Sequence, residues 1–389
     1  MTKIVVSGAV ANKYLNGGEA WIRLSWIVGL RRLGCSVHFV EQIDPANCVD
    51  ENGAVTDFAG SRNLAYFRSI MEEFGLADAA TLVYGDGRQT SGLGWDELIE
   101  LAEGADLLVN MSGNLHAESL LERFRRKAYV DLDPGFTQFW EAAGIPGARL
   151  GGHDSYFTVG ENIGKPACPI PTGGLDWHAV RQPVVLDDWP VTPADDPHRF
   201  TTIGSWRGPY GPIEHEGRTY GLKVHEFRKV LELPERAPLT FEIALDIHSD
   251  DARDRDALLA HHWRLVDPRR VASDPTSFRR YVQQSGGEFS VAQGIYVDTS
   301  SGWFSDRTVR YLASGKPVLV QDTGWGGGEP PHEGIVSFST LEEAVEGAHR
   351  TQRAYEAHSE AARALAEEHF DSDKVLVRFL EEAGVIMQV

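Results

Sequence analysis

Residues able to hold an anion or grip hydroxyl groups concentrate between positions 287 and 324. There a small-residue loop, 299–302, contains Ser301 and Gly302 and leads into a predicted helix with Ser305 as its cap. The first N–H groups of a helix have no intrahelical acceptor, and its N-terminal end is electropositive, so such a start is a ready anion site. Asp306, Arg307 and Thr308 form its first turn. A carboxylate there is favoured by the helix dipole and can accept bonds from hydroxyls. The helix ends at Gly315, and a strand from Pro317 carries Gln321, Asp322 and Thr323 to the same end of the structure, an amide, a carboxylate and a hydroxyl suited to polyol recognition. A second glycine-rich stretch, Gly204-Ser205-Trp206-Arg207-Gly208 on to Gly211, follows the β-branched run 200–203. Glycine there lets backbone N–H groups approach a phosphate, with Arg207 adding charge. Lys223 stands at a helix start, where the dipole does not favour a cation, and a bound anion would supply the missing partner.

The first half carries a different set. Gly17 and Gly18 precede a helix that starts near Glu19, and they permit close backbone approach to a donor group. The pattern is not G-x-G-x-x-G, so no dinucleotide fingerprint is present. A base is needed where a hydroxyl must lose its proton during attack. Four residues are candidates: Glu19, His116, Asp133 and His153, and the sequence leaves the choice among them open. No metal is expected. Cys35, Cys48 and Cys168 lack ligand spacing, and His261 and His262 are adjacent on a predicted helix and so do not face one another. Asp131 and Asp133 have a ligand-like spacing but belong to the first half, away from the anion-binding loops.

These residues follow strands in an alternating pattern. Runs at 4–6, 36–40, 82–84, 106–110, 128–132 and 156–159 read as strands, with helices at 19–33, 95–102 and 136–143. A proline-rich stretch at 164–198 interrupts the rhythm. Strands then recur at 200–203, 240–244, 289–292 and 317–320. Helices lie at 223–231, 251–261, 276–284, 306–313 and 374–382, and a long one at 341–369 has room for one break. Alternation of this kind makes parallel sheets, whose ligands sit beyond the strands' carboxyl ends. The reading is therefore α/β with two Rossmann-like domains, 1–180 and 199–370, joined by a linker at 181–198 and followed by a C-terminal helix, 371–389, packing back on the first domain.

Length and composition agree with two domains: 389 residues with 42% hydrophobic content. The net charge of −20 argues against nucleic acid as the partner. With no stretch of about 18 apolar residues, no membrane span is expected. The first residues lack a secretory leader pattern. The expectation is a cytoplasmic protein with reduced cysteines, a monomer or homodimer.

The run from 288 to 324, with Gly-Trp-Phe-Ser-Asp-Arg-Thr at 302–308 and Ala-Ser-Gly-Lys-Pro-Val at 313–318, resembles the nucleotide-binding end of bacterial GT-B glycosyltransferases. The resemblance implies two Rossmann-like domains facing a cleft, and transfer of a sugar from a nucleoside diphosphate sugar (UDP, TDP or GDP) to a small-molecule or glycan acceptor, with no cofactor and no metal. Diphosphate and ribose would lie on the loop and helix start of the second domain. Many relatives carry a ribose-binding Glu in this helix where Arg310 stands here, so the role would pass to Asp306. Inverting and retaining chemistry both stay open. A sugar-nucleotide epimerase of the same fold, or a sugar-nucleotide-binding protein without activity, are the rival readings.

Overall fold

The computed structural model describes residues 1–86, 89–208, 210–327 and 332–386. Its first half is a sheet of eight strands: β1 (Lys3–Ser7), β2 (Ser36–Ile43), β3 (Ala80–Tyr84), β4 (Gln89–Ser91), β5 (Leu107–Met111), β6 (Lys127–Asp131), β7 (Ser155–Thr158) and β8 (Trp177–Ala179). Their order is β4-β3-β2-β1-β5-β6-β7-β8. Only β4 runs antiparallel, against β3.

The second half holds β9 (Arg199–Ser205), a small hairpin of β10 (Ile213–His215) and β11 (Arg218–Tyr220), then β12 (Thr240–Asp246), β13 (Arg264–Val266), β14 (Gly287–Ser290), β15 (Val318–Gln321) and β16 (Ile335–Phe338). Apart from the hairpin they form one sheet, β13-β12-β9-β14-β15-β16, with every pairing parallel. Chain order reverses between β1 and β5 and again between β9 and β14. Crevices for ligands open at such reversal points.

The strands are buried on both faces, and their β-branched runs match that burial: Ile4, Val5 and Val6 in β1 are each at most 1% exposed. Helices cover them. The Gly17–Arg32 helix starts at Asn16, whose side chain accepts the Glu19 N–H. It buries Ala20, Trp21, Leu24, Trp26, Ile27 and Leu30. The predicted long helix at 341–369 is two helices, Leu341–Arg353 and Tyr355–His369, broken at Ala354.

The two halves share one apolar core, in which Val6, Trp21 and Phe39 of the first lie in a continuous cluster with Phe278, Tyr311 and Leu312 of the second. The stretch read as a connector is packed tightly. It contains β8, and Trp189 is fully buried with its ring 5.0 Å from Trp21 and 6.3 Å from Phe278. The last helix, Ser372–Glu382, lies on the first domain: Phe379 meets Trp26 at 4.9 Å and Phe157 at 4.6 Å. Gly29 makes room for it, since a Cβ there would stand 2.5 Å from Leu376 Cδ1.

Candidate functional site

A cavity of about 390 Å³ opens between the halves. Its first-domain walls are set by two buried carboxylates that do not face it. Glu41, near the end of β2, accepts the N–H groups of Val10, Ala11 and Asn12, each at 2.8 Å, and the Asn12 side-chain amide at 2.9 Å. Burial raises the Glu41 pKa and these bonds pull it back in part, and they fold the loop after β1 so that Asn12 and Lys13 line the cavity. Asp131, the last residue of β6, accepts from Thr137, Thr158 and Gln138 side chains and from the Asp133 N–H. Its oxygens are thereby occupied, and it turns Asp133 into the cavity.

Asp133 is raised from the ordinary carboxylate range to about 7 by burial first, then by the charges of Asp131 and Glu19, against the pull of Lys13 and Arg23. Two tyrosines of the second domain also line this cavity, Tyr210 and Tyr296. Tyr296 Oη donates to Asp133 Oδ1 at 3.4 Å. Glu19 is paired with Arg23 four residues on. Burial pushes Glu19 up, but Arg23 and Lys13 outweigh it and hold its pKa below the usual value. Arg23 lies across Gly8, where a Cβ would stand 2.8 Å from its Cγ. Ser112 and Arg149, both on this cavity, have φ of 51°, a region non-glycine residues enter at a cost.

The second domain supplies a further cavity of about 500 Å³ beyond the carboxyl ends of β14 and β15 and alongside β16. Ser305, Thr308, Asp322 and Thr323 line it, with Gln321 and Trp325. Trp303 borders both cavities and divides one from the other. Just beyond it Ser305 caps the Asp306–Ala313 helix, its Oγ accepting the Arg307 N–H at 3.3 Å. The helix therefore begins at the partition, with Asp306 toward the interdomain cavity and Thr308 toward the other.

The sequence-predicted residues separate into three groups. Brought to the two cavities are Glu19, His116, Asp133, Asp306, Ser305, Thr308, Asp322 and Thr323. Close by, but used as framework, are Ser301 and Gly302. Ser301 is fully buried, with its Oγ accepting the Trp303 N–H at 3.3 Å, and Gly302, at φ +74°, donates to Thr323 O at 2.8 Å. Arg307 is turned inward, bound to Glu288 at 2.6 Å, Ser290 Oγ at 2.7 Å and Ile203 O at 2.8 Å across the β9/β14 reversal point.

The third group lies away from both cavities. Gly17 and Gly18 pack against the second domain: a Cβ on Gly17 would be 2.1 Å from Asp274 O, and one on Gly18 2.9 Å from Phe278. Their small size serves domain contact. Arg207 is half exposed and spends its guanidinium on Asp251. His153 accepts or donates at both ring nitrogens, to Asn110 and to the Leu150 carbonyl, and burial lowers its pKa. Gly204 and Ser205 end β9 beside Lys223, whose Nζ is 3.4 Å from where a Gly204 Cβ would stand. Among the described residues the Lys223 ammonium has no hydrogen-bond or ion-pair partner, and burial, followed by the charge of Arg307, lowers it to about 8.

Geometry also ranks the bases. His116 faces the cavity, but Arg149 donates to its Nδ1 at 2.8 Å. Nδ1 also lies 3.1 Å from the Asn114 carbonyl and Nε2 3.6 Å from Asp44, so both ring nitrogens already face protein groups. Glu19 stays ionised against Arg23. Asp133 has both position and a matched pKa. Sequence reading missed Arg23, Tyr210 and Tyr296, and met Trp303 only within the Gly-Trp-Phe-Ser-Asp-Arg-Thr run. Arg23 was within reach, because Glu19 and Arg23 are four apart on a predicted helix. The tyrosines approach from the other domain, and no local spacing announces them.

Arg310 is buried and ion-paired with Asp306 at 2.9 Å, with its guanidinium 5.9 Å over Trp189 and one nitrogen 3.4 Å from Ser25 Oγ of the first domain. The Asp306 carboxylate is thus already engaged with a cation.

No family model and no curated protein matches the chain. Solved structures do match, over nearly the whole length. One is an alpha-glucosyltransferase in complex with UDP-glucose and DNA containing an abasic site, with a TM-score of 0.62 and 11% identity, covering 98% of this chain and 99% of that one. Another is HepE of Anabaena in complex with UDP and glucose, with a TM-score of 0.58 and 11% identity over 99% of this chain and 100% of that one. A third is sucrose-phosphate synthase of Thermosynechococcus elongatus, with a TM-score of 0.55 and 11% identity over 98% of each chain. These correct one expectation. Several of the matched alpha-glucosyltransferase structures hold DNA, so an acidic net charge does not exclude nucleic acid as a partner for a chain of this fold. Two Rossmann-like sheets, a shared cleft and a last helix returned to the first domain, matched end to end by these structures, make this the GT-B fold.

Proposed function

We propose that the chain is a glycosyltransferase that takes its sugar from a nucleoside diphosphate sugar. The observation that carries this reading is the pair of cavities meeting at Trp303 and the helix start behind it. A donor laid across that partition has its nucleoside in the second-domain cavity and its sugar in the interdomain one. Its diphosphate sits at the start of the Asp306–Ala313 helix, with Lys13 on the interdomain cavity and Lys223 outside both cavities but within reach of the charges of Asp306 and Arg307. Several of the matched structures hold UDP, UDP-glucose, or UDP and glucose, which supports a donor of this class. Developing charge on the leaving diphosphate is met by helix N–H groups and, at longer range, by the Lys223 ammonium. The transfer is proposed to need no protein-held metal, since Asp131 of the Asp131-Leu132-Asp133 run is spent on four internal hydrogen bonds.

Asp133 takes the acceptor proton in this reading. As the acceptor oxygen bonds to the anomeric carbon, its proton passes to the Asp133 carboxylate, and the diphosphate departs with the electron pair of the broken C–O bond. One observation favours a second reading. Asp133, Glu19 and Asp306 share a cavity, and grouped carboxylates are what a sugar-nucleotide epimerase requires.

A panel of UDP-, TDP- and GDP-sugars, read by thermal shift, tests donor binding, since a ligand that binds only the folded state raises Tm. The expected result is a shift with one nucleotide class, and release of free nucleoside diphosphate that depends on an added acceptor. A donor converted without nucleotide release would favour the epimerase. No shift with any donor would remove the transferase reading.

A further inference from the structure

Asp133 belongs to the first domain, yet among the described residues the one side chain that donates to its carboxyl from across the cleft belongs to the second. Tyr296 stands on the Gly294–Asp298 helix, which is wedged against the first domain. Ile295 meets Gly135, where a Cβ would be 3.1 Å from its Cδ1, and the Tyr296 ring lies edge-on to Phe136 at 6.1 Å and 4.7 Å from Trp303. That helix is fixed behind by Gly294, packed so closely on the Gly221 backbone that a Cβ would stand 2.8 Å from it. The phenol is therefore held in place by both halves.

We infer that Tyr296 is the positioning residue for the proton-accepting carboxylate, so that the base is assembled only when the two domains are together; this rests on the reading of Asp133 as base. A phenol O–H aimed at Oδ1 fixes the carboxyl's rotation and leaves Oδ2 for the acceptor hydroxyl. At 3.4 Å the contact is long for a hydroxyl donor, as bonds of this kind are before substrate closes the site. The other charged and titratable groups around Asp133 come from both domains. Asp131 lies beneath it. Glu19 and Arg23 are on the Gly17–Arg32 helix, Lys13 on the loop after β1, and Tyr210 and Asp306 on the second domain. His116, Asp44 and Arg149 lie on the cavity's outer side. Among the neighbours from the second domain, only Tyr296 donates a hydrogen bond to Asp133 among the described residues.

The test separates this inference from the base reading. In Tyr296→Phe the ring and its packing stay and only the hydroxyl is lost. The Asp133 carboxyl is followed by infrared titration of the full-length protein, using Asp133→Asn to identify its C=O band. A phenol that bonds the ionised carboxylate lowers its pKa, so its loss is expected to raise the titration midpoint by roughly half to one pH unit. Turnover of UDP-glucose with water as acceptor is expected to fall roughly 5- to 30-fold in kcat with KM unchanged, the worth of one hydrogen bond. A midpoint that does not move in Tyr296→Phe overturns the inference, whatever Asp133→Asn does. Full turnover in Asp133→Asn overturns the base reading, whatever Tyr296→Phe does. A thermal melt like that of the parent shows that either variant is folded.

Discussion

At the scale of single residues, the site sets side chains against the stability of the fold. Asp133 has a folded pKa of about 7, above the ordinary 3.8. The folded state therefore holds this proton more tightly than the unfolded one. That contribution is full below about pH 4 and is lost as pH rises through 7. Asp133→Asn is accordingly expected to raise Tm at pH 8, by an amount on the order of 2–4 kcal/mol in stability, and to leave it unchanged at pH 4. The same variant is expected to lower turnover by about 100-fold or more, with donor binding intact. An unaltered Tm at pH 8 would mean that the carboxyl is not strained by its surroundings. Lys223 mirrors it. Its pKa is depressed to about 8, so its charged form weighs on the fold at all pH below that value. Lys223→Met should raise the Tm of the unliganded protein at pH 7 and weaken nucleoside diphosphate binding by about 3- to 10-fold, through its charge rather than a direct bond. Arg207→Ala, by contrast, should leave binding within about twofold, because its guanidinium is committed to Asp251. Isothermal titration with UDP compares the two directly, and equal losses would place both cations on the phosphate.

At the scale of elements, what was legible in the sequence is what local chemistry decides. The Asp306–Ala313 helix follows from its Ser305 cap and the Gly315 stop, and strand β1 from its β-branched run. Contacts with distant partners were not legible. Arg307 sits at a helix start as an anion ligand would, and only the fold reveals Glu288, nineteen positions earlier, as the group that takes it. Gly17 and Gly18 look the same whether they admit a phosphate or a neighbouring helix. The structure shows Asp274 and Phe278 against them. The Arg62–Glu73 helix was missed although its signals were present: Ser61 accepts the Leu64 N–H, and Leu64, Phe67, Ile70 and Met71 fall on one face. Proline content hid β8 inside a stretch read as connector, and glycine content hid the β10–β11 hairpin, which turns through Gly217 at φ +76°. The glycine reading gives a prediction at this scale. Gly17→Ala drives a methyl into the Asp274 carbonyl and should cost about 1–3 kcal/mol of stability by denaturant titration. Nucleoside diphosphate affinity measured on the folded variant should stay near the parent's; a large loss would put the glycine on the donor after all.

At the scale of the molecule, the two domains are not independent bodies around a hinge. Their apolar cores are continuous, with Trp189 of the connector buried between Trp21 and Phe278. The chain then returns its last helix to the first domain, where Val184 of the connector and Asp371 before that helix form a parallel bridge. Phe379 is the anchor of this return, 1% exposed and set between Trp26 and Phe157. A fold closed by such a strap should unfold as one unit although it has two sheets. Calorimetry is therefore expected to show a single transition. Phe379→Ala, which leaves a cavity worth about 3–5 kcal/mol, should lower that transition by several degrees without splitting it. The same variant should depress turnover with UDP-glucose more than donor affinity, because the proposed donor contacts lie mainly in the second domain whereas Asp133 and its partner Tyr296 meet only across the joined halves. Two resolved transitions, with the substitution moving only the lower one, would show that the halves fold separately and that the strap does not hold the cleft in register.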